Sequence, residues 1–393
     1  MSVKEGSSNG FIERLESLRG IAALWVAVGH SMIWLVIGSE TAIWSKRVWE
    51  VHGVQANLAR TLITFFSGAA AVDIFFVLSG FVLARSLAGA MLNPGSYVQF
   101  VLRRLFRIVP AFWFSLLVVL LYLTVLYPGH AVMPGASDWF NRWYADPLSI
   151  QTVLENATFV SPWLNPNAWT LKVEILASLL LPLIVWCIGS KDMKGASGTA
   201  RSALVLLGTV ALAWVYRDAP SDLTHYVYMF VVGALVARHG GAVRQGLLES
   251  NVFVMGCVLL VVLASACYPL VHPFFADVLV VAGSAGIICA LSRGSQAKAL
   301  VILGTGWARF LGRISYSFYL LHFIALYATG TVLLHLLPSE IVIRWPLAVM
   351  AAGCLISIAV AVPLALLAFN WVEKPFTLIG RRVSRMQAGV VRQ

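Results

Sequence analysis

The sequence predicts an all-α membrane protein, a polytopic bundle of about ten transmembrane helices. Of its 393 residues, 60% are hydrophobic and only 11% are charged, whereas a soluble domain carries about 25% charged residues. The apolar residues fall in runs close to the ~20 residues that a helix needs to cross the hydrocarbon core. The net charge of +11 comes from basic residues between these runs, which indicates topology signals and contacts with anionic lipids. Nucleic acid is therefore not an expected partner.

Ten segments are candidate spans, and the fifth and sixth are short. Their predicted limits are 18–38, 62–84, 108–127, 168–188, 202–216, 224–238, 251–268, 274–292, 314–336 and 345–371. The first segment follows a polar stretch and has no small-residue cleavage site behind it. It therefore indicates a retained span and argues against a signal peptide.

The lysine and arginine residues predict the orientation of the bundle. If the ten segments alternate across the membrane, one side holds only seven of the 28 basic residues: Lys46, Arg47, Arg60, Arg142, Lys172, Arg217 and Arg344. The positive-inside rule assigns that side to the outside and both termini to the cytoplasm. We expect a cytoplasmic tail over 1–17, a membrane domain over 18–377 and a basic cytoplasmic tail over 378–393.

Two connections differ from simple loops. The long outside loop over 129–167 is rich in Trp, Pro and Asn, which suits either an interfacial aromatic belt or a sugar-stacking surface. The basic segment over 93–107 predicts an amphipathic helix lying on the inner face. No metal-ligand or disulfide spacing links the five cysteines, which we expect to be free thiols: Cys187, Cys257, Cys267, Cys289 and Cys354.

The stretch from Arg19 to His30 carries the first functional signal. Eleven residues are about three helical turns and a rise of roughly 16 Å, so both side chains lie on one helix face. With Arg19 at the cytoplasmic headgroups, His30 lies near mid-membrane, where ionisable residues usually line a cavity or pathway. This pattern predicts a shaft with a cation at its mouth and a base at its bottom. The alternative is a histidine that only hydrogen-bonds between helices.

Other polar residues inside apolar segments support a polar interior. They are Asp73, Glu174, His322 and Glu373. Isolated charges in lipid are not tolerated, so these residues are expected to face one another within the bundle. Arg104 and Arg107 are spaced i and i+3 and therefore emerge on one helix face. Together with Arg19 they predict a phosphate receptor at the cytoplasmic mouth, with lipid headgroup anchoring as the alternative.

An ordered set of motifs resembles the acyltransferase-3 family of bacterial integral membrane O-acyltransferases. The motifs are "LESLRGIAALWVAVGH", "AVDIFFVLSGFVLARS", "RRLFRIVPAFW", "WTLKVEILASLLLPL", "ISYSFYLLHF" and "VEKP". Their order matches the family from about residue 11 to 377. The resemblance implies an all-helical fold of about ten spans in the bacterial inner membrane. It also implies transfer of an acyl group, commonly acetyl, from cytoplasmic acetyl-CoA to a hydroxyl of an extracytoplasmic or lipid-linked glycan, such as O-antigen, exopolysaccharide or a lipo-oligosaccharide.

The family pattern matches this chain residue by residue at three places. Its basic residue, ten spacers and histidine fall on Arg19 and His30, and its inside Arg-x-x-Arg falls on Arg104 and Arg107. Its Ser-Gly-Phe is 79–81 here.

Two departures from the family pattern are visible. The usual Asp-Gly-Leu-Arg is Glu-Ser-Leu-Arg at 16–19, and the usual Trp-Ser-Leu is Trp-Thr-Leu at 169–171. The first keeps the acid and loses the glycine, and the second keeps the hydroxyl. Neither removes a proposed catalytic group.

The resemblance and the residue types together predict roles. Coenzyme A phosphates are expected among Arg19, Arg104 and Arg107, with the pantetheine arm running along the first helix towards His30. Neutral His30 is expected to act as general base on the acceptor hydroxyl, and an acyl-enzyme intermediate is the rival route. Two further residues are predicted to be catalytic: Glu174 and Asp73. Four are predicted to bind substrate: Trp169, Ser79, Tyr316 and His322.

Two other classes of protein remain as alternatives at this stage. A transporter or flippase of a lipid-linked saccharide also needs a polar interior, although no internal repeat of the transporter kind is evident. A non-catalytic partner in polysaccharide assembly is the other. The expected partners are acyl-CoA, a glycan or glycolipid acceptor and membrane lipids, with a second copy of the chain left open. No metal is expected.

Overall fold

The computed structural model describes residues 3–87, 93–127, 132–189, 196–218, 223–268 and 270–390. Most of these residues are helical, and no β-strand occurs among them. Sixteen α-helices follow one another along the chain: α1 Val3–His30, α2 Val54–Phe65, α3 Gly68–Leu87, α4 Pro94–Leu121, α5 Asp138–Asn141, α6 Ile150–Ala157, α7 Ala168–Ile188, α8 Ala196–Val215, α9 Leu223–His239, α10 Gln245–Glu249, α11 Asn251–Cys267, α12 Pro273–Ser292, α13 Gly306–Leu336, α14 Ser339–Arg344, α15 Pro346–Ala368 and α16 Lys374–Val390. One π-helical turn follows α4 and another joins α15 to α16: Tyr122–Leu126 and Phe369–Glu373.

The chain is a multi-pass membrane protein. Seven helical stretches among the described residues are long and apolar enough to cross a membrane: Val54–Leu87, Pro94–Leu126, Ala168–Ile188, Ser197–Val215, Pro273–Ser292, Gly306–Leu336 and Pro346–Ser384. A helix occupies each of the ten predicted segments. Three of these helices are not among the seven stretches that are long and apolar enough to cross a membrane. Two of them, α9 and α11, have 17 residues each, and α1 is polar in its first half.

The first predicted span was wrong in its outer half. Helix α1 ends at His30, although the apolar run continues to residue 38. Beyond it the backbone bonds to the outside loop, because Val36 donates to the carbonyl of Gly135 at 2.8 Å and Ser137 donates to that of Trp34 at 2.9 Å. The hydropathy of residues 31–38 indicates burial, but it does not indicate whether their backbone continues as a helix or bonds to another segment.

Two other boundaries also differ from the predictions. The second predicted span, 62–84, is interrupted at residues 66–67, between α2 and α3. The segment over 93–107 is no separate interfacial helix, because it forms the first half of α4. Asn93 caps that helix by accepting from the backbone of Ser96 at 2.8 Å. The predicted inside residues Lys191, Lys194 and Arg392 lie outside the described residues.

The long loop over 129–167, which the sequence predicts to lie outside, folds into the bundle instead of lying flat as an aromatic belt. From residue 132 onwards it contains α5 and α6, and Trp139 and Phe140 are buried. Two of its asparagines bond to the backbone of α13: the side chain of Asn165 donates to the Leu320 carbonyl at 3.0 Å, and that of Asn167 donates to the Tyr319 carbonyl at 2.9 Å. Residues 129–131 lie outside the described part of the loop.

Two pairs of glycines allow the central helices to approach closely. Helices α1 and α13 meet at Gly20 and Gly312, where a Cβ on Gly20 would lie 2.5 Å from the Gly312 nitrogen. Helices α3 and α9 meet in the same way at Gly80 and Gly233, where a Cβ on Gly233 would lie 2.1 Å from the Val77 carbonyl oxygen. Small residues at such contacts are typical of membrane helix packing.

The α1–α13 contact is testable by adding a single methyl group. Gly20→Ala should destabilise the protein by about 1–3 kcal/mol, because its Cβ meets backbone that cannot move aside without separating the helices. The matched control is Gly208→Ala in α8, where a Cβ has open space. There the higher helix propensity of alanine should be neutral or stabilising, by up to about 1 kcal/mol. Thermal unfolding of the purified variants measures both effects, and equal stability of the two would contradict a tight contact.

Candidate functional site

Two cavities contain most of the residues that the sequence singled out. The first, called here the arginine cavity, has a volume of about 380 Å³, and its polar lining includes Glu16, Arg19, Ser79, Arg104, Arg107 and Glu174. The second, called here the histidine cavity, has a volume of about 700 Å³, and its lining includes His30, Arg60, Trp139, Arg142, Trp169 and Tyr268. Tyr319 lines both cavities. The predicted single shaft is therefore two chambers that meet at one tyrosine.

Helices α1 and α4 bring three guanidinium groups to the arginine cavity. Nε of Arg19 donates to the hydroxyl of Ser315 on α13 at 2.7 Å. Arg104 and Arg107 come from the same face of α4, as the i, i+3 spacing predicts. Among the described residues, Arg107 has no carboxylate within ion-pair distance. This end of the bundle therefore attracts anions.

Glu174 lies in the arginine cavity, where it pairs with Arg104 on α4 and contacts the hydroxyl of Ser79 on α3 at 3.3 Å. The sequence predicts that it is catalytic and that Trp169, which precedes it by five residues on α7, binds substrate. The structure separates the two residues, because Trp169 lines the histidine cavity. Five residues are about one and a half helical turns, which is enough to place them in different chambers.

His30 is paired with His322. Its Nδ1 lies 3.1 Å from Nε2 of His322, and Nδ1 of His322 lies 2.9 Å from the carbonyl oxygen of Tyr319. Helix α1 presents His30 at its last residue, and α13 presents His322 to it. The His30 ring is also held between Trp139 and Phe323, with ring centroids 5.3 and 6.2 Å away. The pairing was not predicted, because His322 was expected to bind substrate.

The hydrogen bonds define the tautomer of each neutral ring. A carbonyl oxygen can only accept, so Nδ1 of His322 carries a proton and Nε2 of His322 is an acceptor. Nδ1 of His30 must then donate to it. Nε2 of His30 is left without a proton in the neutral ring, and it is therefore the basic atom of the pair.

Tyr319 was missed by the sequence analysis. Its hydroxyl lies 3.0 Å from that of Thr170 on α7, and its ring packs edge-on against Phe75 at 5.4 Å. It lies one turn before His322 on α13, and its carbonyl accepts from both His322 and Asn167. The "SYSFYLLH" stretch contains two tyrosines, and only packing shows that Tyr319, and not Tyr316, joins the chambers.

Asp73 lies in a different cluster from His30. It accepts from the Tyr268 hydroxyl at 3.2 Å, and the same hydroxyl lies 2.7 Å from Asp277. Asp277 in turn contacts Nε2 of His225 at 3.1 Å. Asp73 therefore reaches the histidine cavity only through Tyr268, which lines it. The structure does not bring this carboxylate to the imidazole of His30.

Tyr316 lines the arginine cavity, and its hydroxyl donates to the carbonyl of Ile108 at 2.8 Å. The fourth polar residue noted inside the apolar segments, Glu373, is buried and accepts from Ser317 at 2.7 Å. Neither residue lines the histidine cavity.

Two cations on the histidine cavity were also missed as site residues. Arg60 and Arg142 were counted only as outside charges in the topology argument. A possible signal was the neighbouring aromatic residue, since Arg142 precedes Trp143 and its guanidinium lies over that ring at 4.8 Å. For Arg60 no local pattern in the sequence marks the site.

Comparisons with known proteins agree with the motif resemblance. A family model described as an acyltransferase domain, that of acyltransferase-3, matches residues 12–366. The acyltransferase MdmB of Streptomyces mycarofaciens is 26% identical over 350 residues, which cover 80% of this chain and 82% of that protein. No solved structure matches the chain significantly.

Proposed function

Because this chain belongs to the acyltransferase-3 family of membrane acyltransferases, we propose that it transfers an acetyl group from cytoplasmic acetyl-CoA to a hydroxyl of an extracytoplasmic or lipid-linked glycan. The observation that carries the proposal is the meeting of two chambers at Tyr319, one lined by four arginines and the other by a paired histidine. The first suits a phosphate-bearing donor, and the second supplies a base for a hydroxyl.

The proposed orientation has ten spans in the bacterial inner membrane, with both termini in the cytoplasm. Helices α9 and α11 would be the short spans, because 17 residues rise about 26 Å, close to the ~30 Å of a hydrocarbon core. Arg19 then lies on the cytoplasmic side, and His30 lies roughly 16 Å further along α1. The excess of basic residues on the inner side supports this orientation.

The donor would bind with its phosphates in the arginine cavity. Arginine holds phosphate oxygens with two parallel hydrogen bonds, and Arg107 has no ion-pair partner of its own in the described structure. Glu174 holds Arg104 in place, so we assign it to donor binding and not to the acceptor. The pantetheine arm would extend past Tyr319 and bring the thioester to His30.

His30 would take the proton of the acceptor hydroxyl through Nε2 while the oxygen attacks the thioester carbonyl carbon. The tetrahedral adduct then collapses, the C–S bond breaks, and the coenzyme A sulfur receives the proton back from His30. The products are an ester and a thiol. His322 would hold the His30 tautomer and share the positive charge that forms in the transition state. None of the five described cysteines lines either cavity, which supports direct transfer over a cysteinyl intermediate.

The histidine pair predicts a graded series of activities. His30→Ala should lower acetyl transfer by about 10²–10⁴-fold, because the general base is lost. His322→Leu should lower it less, and His322→Gln should retain more activity than His322→Leu because an amide oxygen can still accept from Nδ1 of His30. Transfer of labelled acetyl by purified protein in proteoliposomes measures the series.

The matched control for this series is His335→Ala on the same helix, where the side chain is exposed and bonds only to the backbone of Thr331 among the described residues. It should behave as wild type. Full activity of His30→Ala would refute the base assignment, and equal activity of the two His322 variants would refute the role of its acceptor nitrogen.

The arginine cavity predicts a donor-specific effect. Arg107→Gln and Arg19→Gln should each raise KM for acetyl-CoA by about tenfold or more, since a charge-assisted hydrogen bond contributes ~1.5–3 kcal/mol. They should leave the use of S-acetylpantetheine, which lacks the phosphates, almost unchanged.

Arg103→Gln is the matched control for these variants, because Arg103 lies next to Arg104 on α4 and its side chain bonds to the Gln99 carbonyl, away from the cavity. Steady-state kinetics with both donors separates the cases. An equal loss of activity with both donors would show that these arginines do not bind the phosphates of acetyl-CoA.

A further inference from the structure

The charge of the histidine cavity is one-sided. Arg60 and Arg142 both line it, and no aspartate or glutamate occurs in its lining among the described residues. Four tryptophans complete much of the wall: Trp44, Trp139, Trp143 and Trp169. A cavity of about 700 Å³ has room for one or two sugar rings.

Arg60 is a buried cation without a counter-ion. Its side chain is only 2% exposed. Nε donates to the carbonyl of Lys46, and Nη1 donates to the hydroxyl of Thr64 at 2.8 Å. These contacts fix the guanidinium but do not neutralise it, and no carboxylate of the described chain lies within ion-pair distance. The nearby acid Glu50 is bound to Arg47 and to its backbone. Burying an unpaired charge is costly, so the site is complete only with an anion.

Arg142 adds a second cation at the cavity. It is exposed, and its guanidinium stacks on the Trp143 ring at 4.8 Å. Stacking uses the face of the guanidinium and leaves its edge N–H groups available to a ligand. Among the described residues it also has no carboxylate partner.

We propose that the acceptor of this acyltransferase is anionic and carries a carboxylate or phosphate group that Arg60 and Arg142 bind. The inference rests on the proposed function and narrows its acceptor class to acidic glycans, such as those containing uronic acids, or saccharides linked to a lipid phosphate. The tryptophans would stack on the sugar rings, and the anion would orient the ring so that one hydroxyl meets His30. A neutral sugar would fill the same volume but leave the Arg60 charge unpaired.

The test compares matched acceptors that differ only in charge. One pair is an oligosaccharide ending in glucuronic acid and its carboxyl-reduced counterpart ending in glucose. The other is a sugar on prenyl diphosphate and the same sugar on the neutral prenyl alcohol. In at least one pair, the anionic member should have about tenfold or more higher kcat/KM, and the preference should fall as the salt concentration rises. The pair that shows this preference identifies whether the anion is a carboxylate of the glycan or the phosphate of the lipid carrier.

Two variants connect the preference to the structure. Arg60→Gln and Arg142→Gln should each reduce the preference to about threefold or less, and the exposed Arg142 keeps the test valid if Arg60→Gln fails to fold. The matched control is Arg344→Gln, which removes a charge from an exposed arginine that stacks on Trp345 and does not line the cavity, and should keep the full preference. Equal use of both members in both pairs, or a preference that survives both cavity variants, would overturn the proposal.

Calorimetric binding of the same four acceptors without acetyl-CoA separates this proposal from the proposed function. If the anionic member binds more tightly but no acceptor is acetylated, the anionic site stands and the proposed reaction fails. If both members are acetylated equally well and bind equally, the reaction stands and the anionic site is refuted.

Discussion

The packing of α1 against α13 is the contact on which the rest of the site depends. At Gly20 and Gly312 the two backbones touch, so neither helix can rotate or slide without a clash. This contact places Arg19 at Ser315 and, nearer the other end of α1, His30 at His322. Arg19 and His30 therefore face the same helix, because α13 supplies a hydrogen-bond partner for each of them.

The interior of an apolar bundle must satisfy every polar group within the protein. Most of the buried charge here is satisfied, since Arg104 meets Glu174 and Asp277 meets His225. Arg107 and Arg60 are different, because each lines a cavity and neither has an ion-pair partner among the described residues. Arg19 in the arginine cavity and Arg142 in the histidine cavity likewise lack an ion-pair partner, so each chamber holds cations for which the described chain supplies no negative charge.

The parts of the structure that sequence could predict are those set by local periodicity. The Arg19–His30 and Arg104–Arg107 spacings hold because a helix fixes which side chains share a face. The end of α1 at His30 could not be predicted, because the chain beyond it bonds to backbone partners distant in sequence. The break at residues 66–67 could not be predicted either, and next to it the carbonyl of Thr64 accepts from the side chain of Ser265, 201 residues away. The same is true of the His30–His322 pair, which joins positions 292 residues apart. The pairing of Glu174 with Arg104 was not foreseen for a related reason: the position of Glu174 on α7 does not show that α4 brings Arg104 to it.

Two chambers joined at a tyrosine suit group transfer across a membrane better than one open shaft would. In the proposed reaction, coenzyme A is strongly anionic and its acceptor is polar, yet only the small, uncharged acyl thioester has to pass between them. The ring of Tyr319, packed against Phe75 and bonded to Thr170, lies where that passage would occur, because it lines both cavities. In that reaction anions would be bound by Arg19 and Arg107 on one side and by Arg60 on the other, and the low-dielectric middle would carry no net charge. Such a division would let the bundle exchange an acyl group between two aqueous compartments without opening a continuous polar path between them.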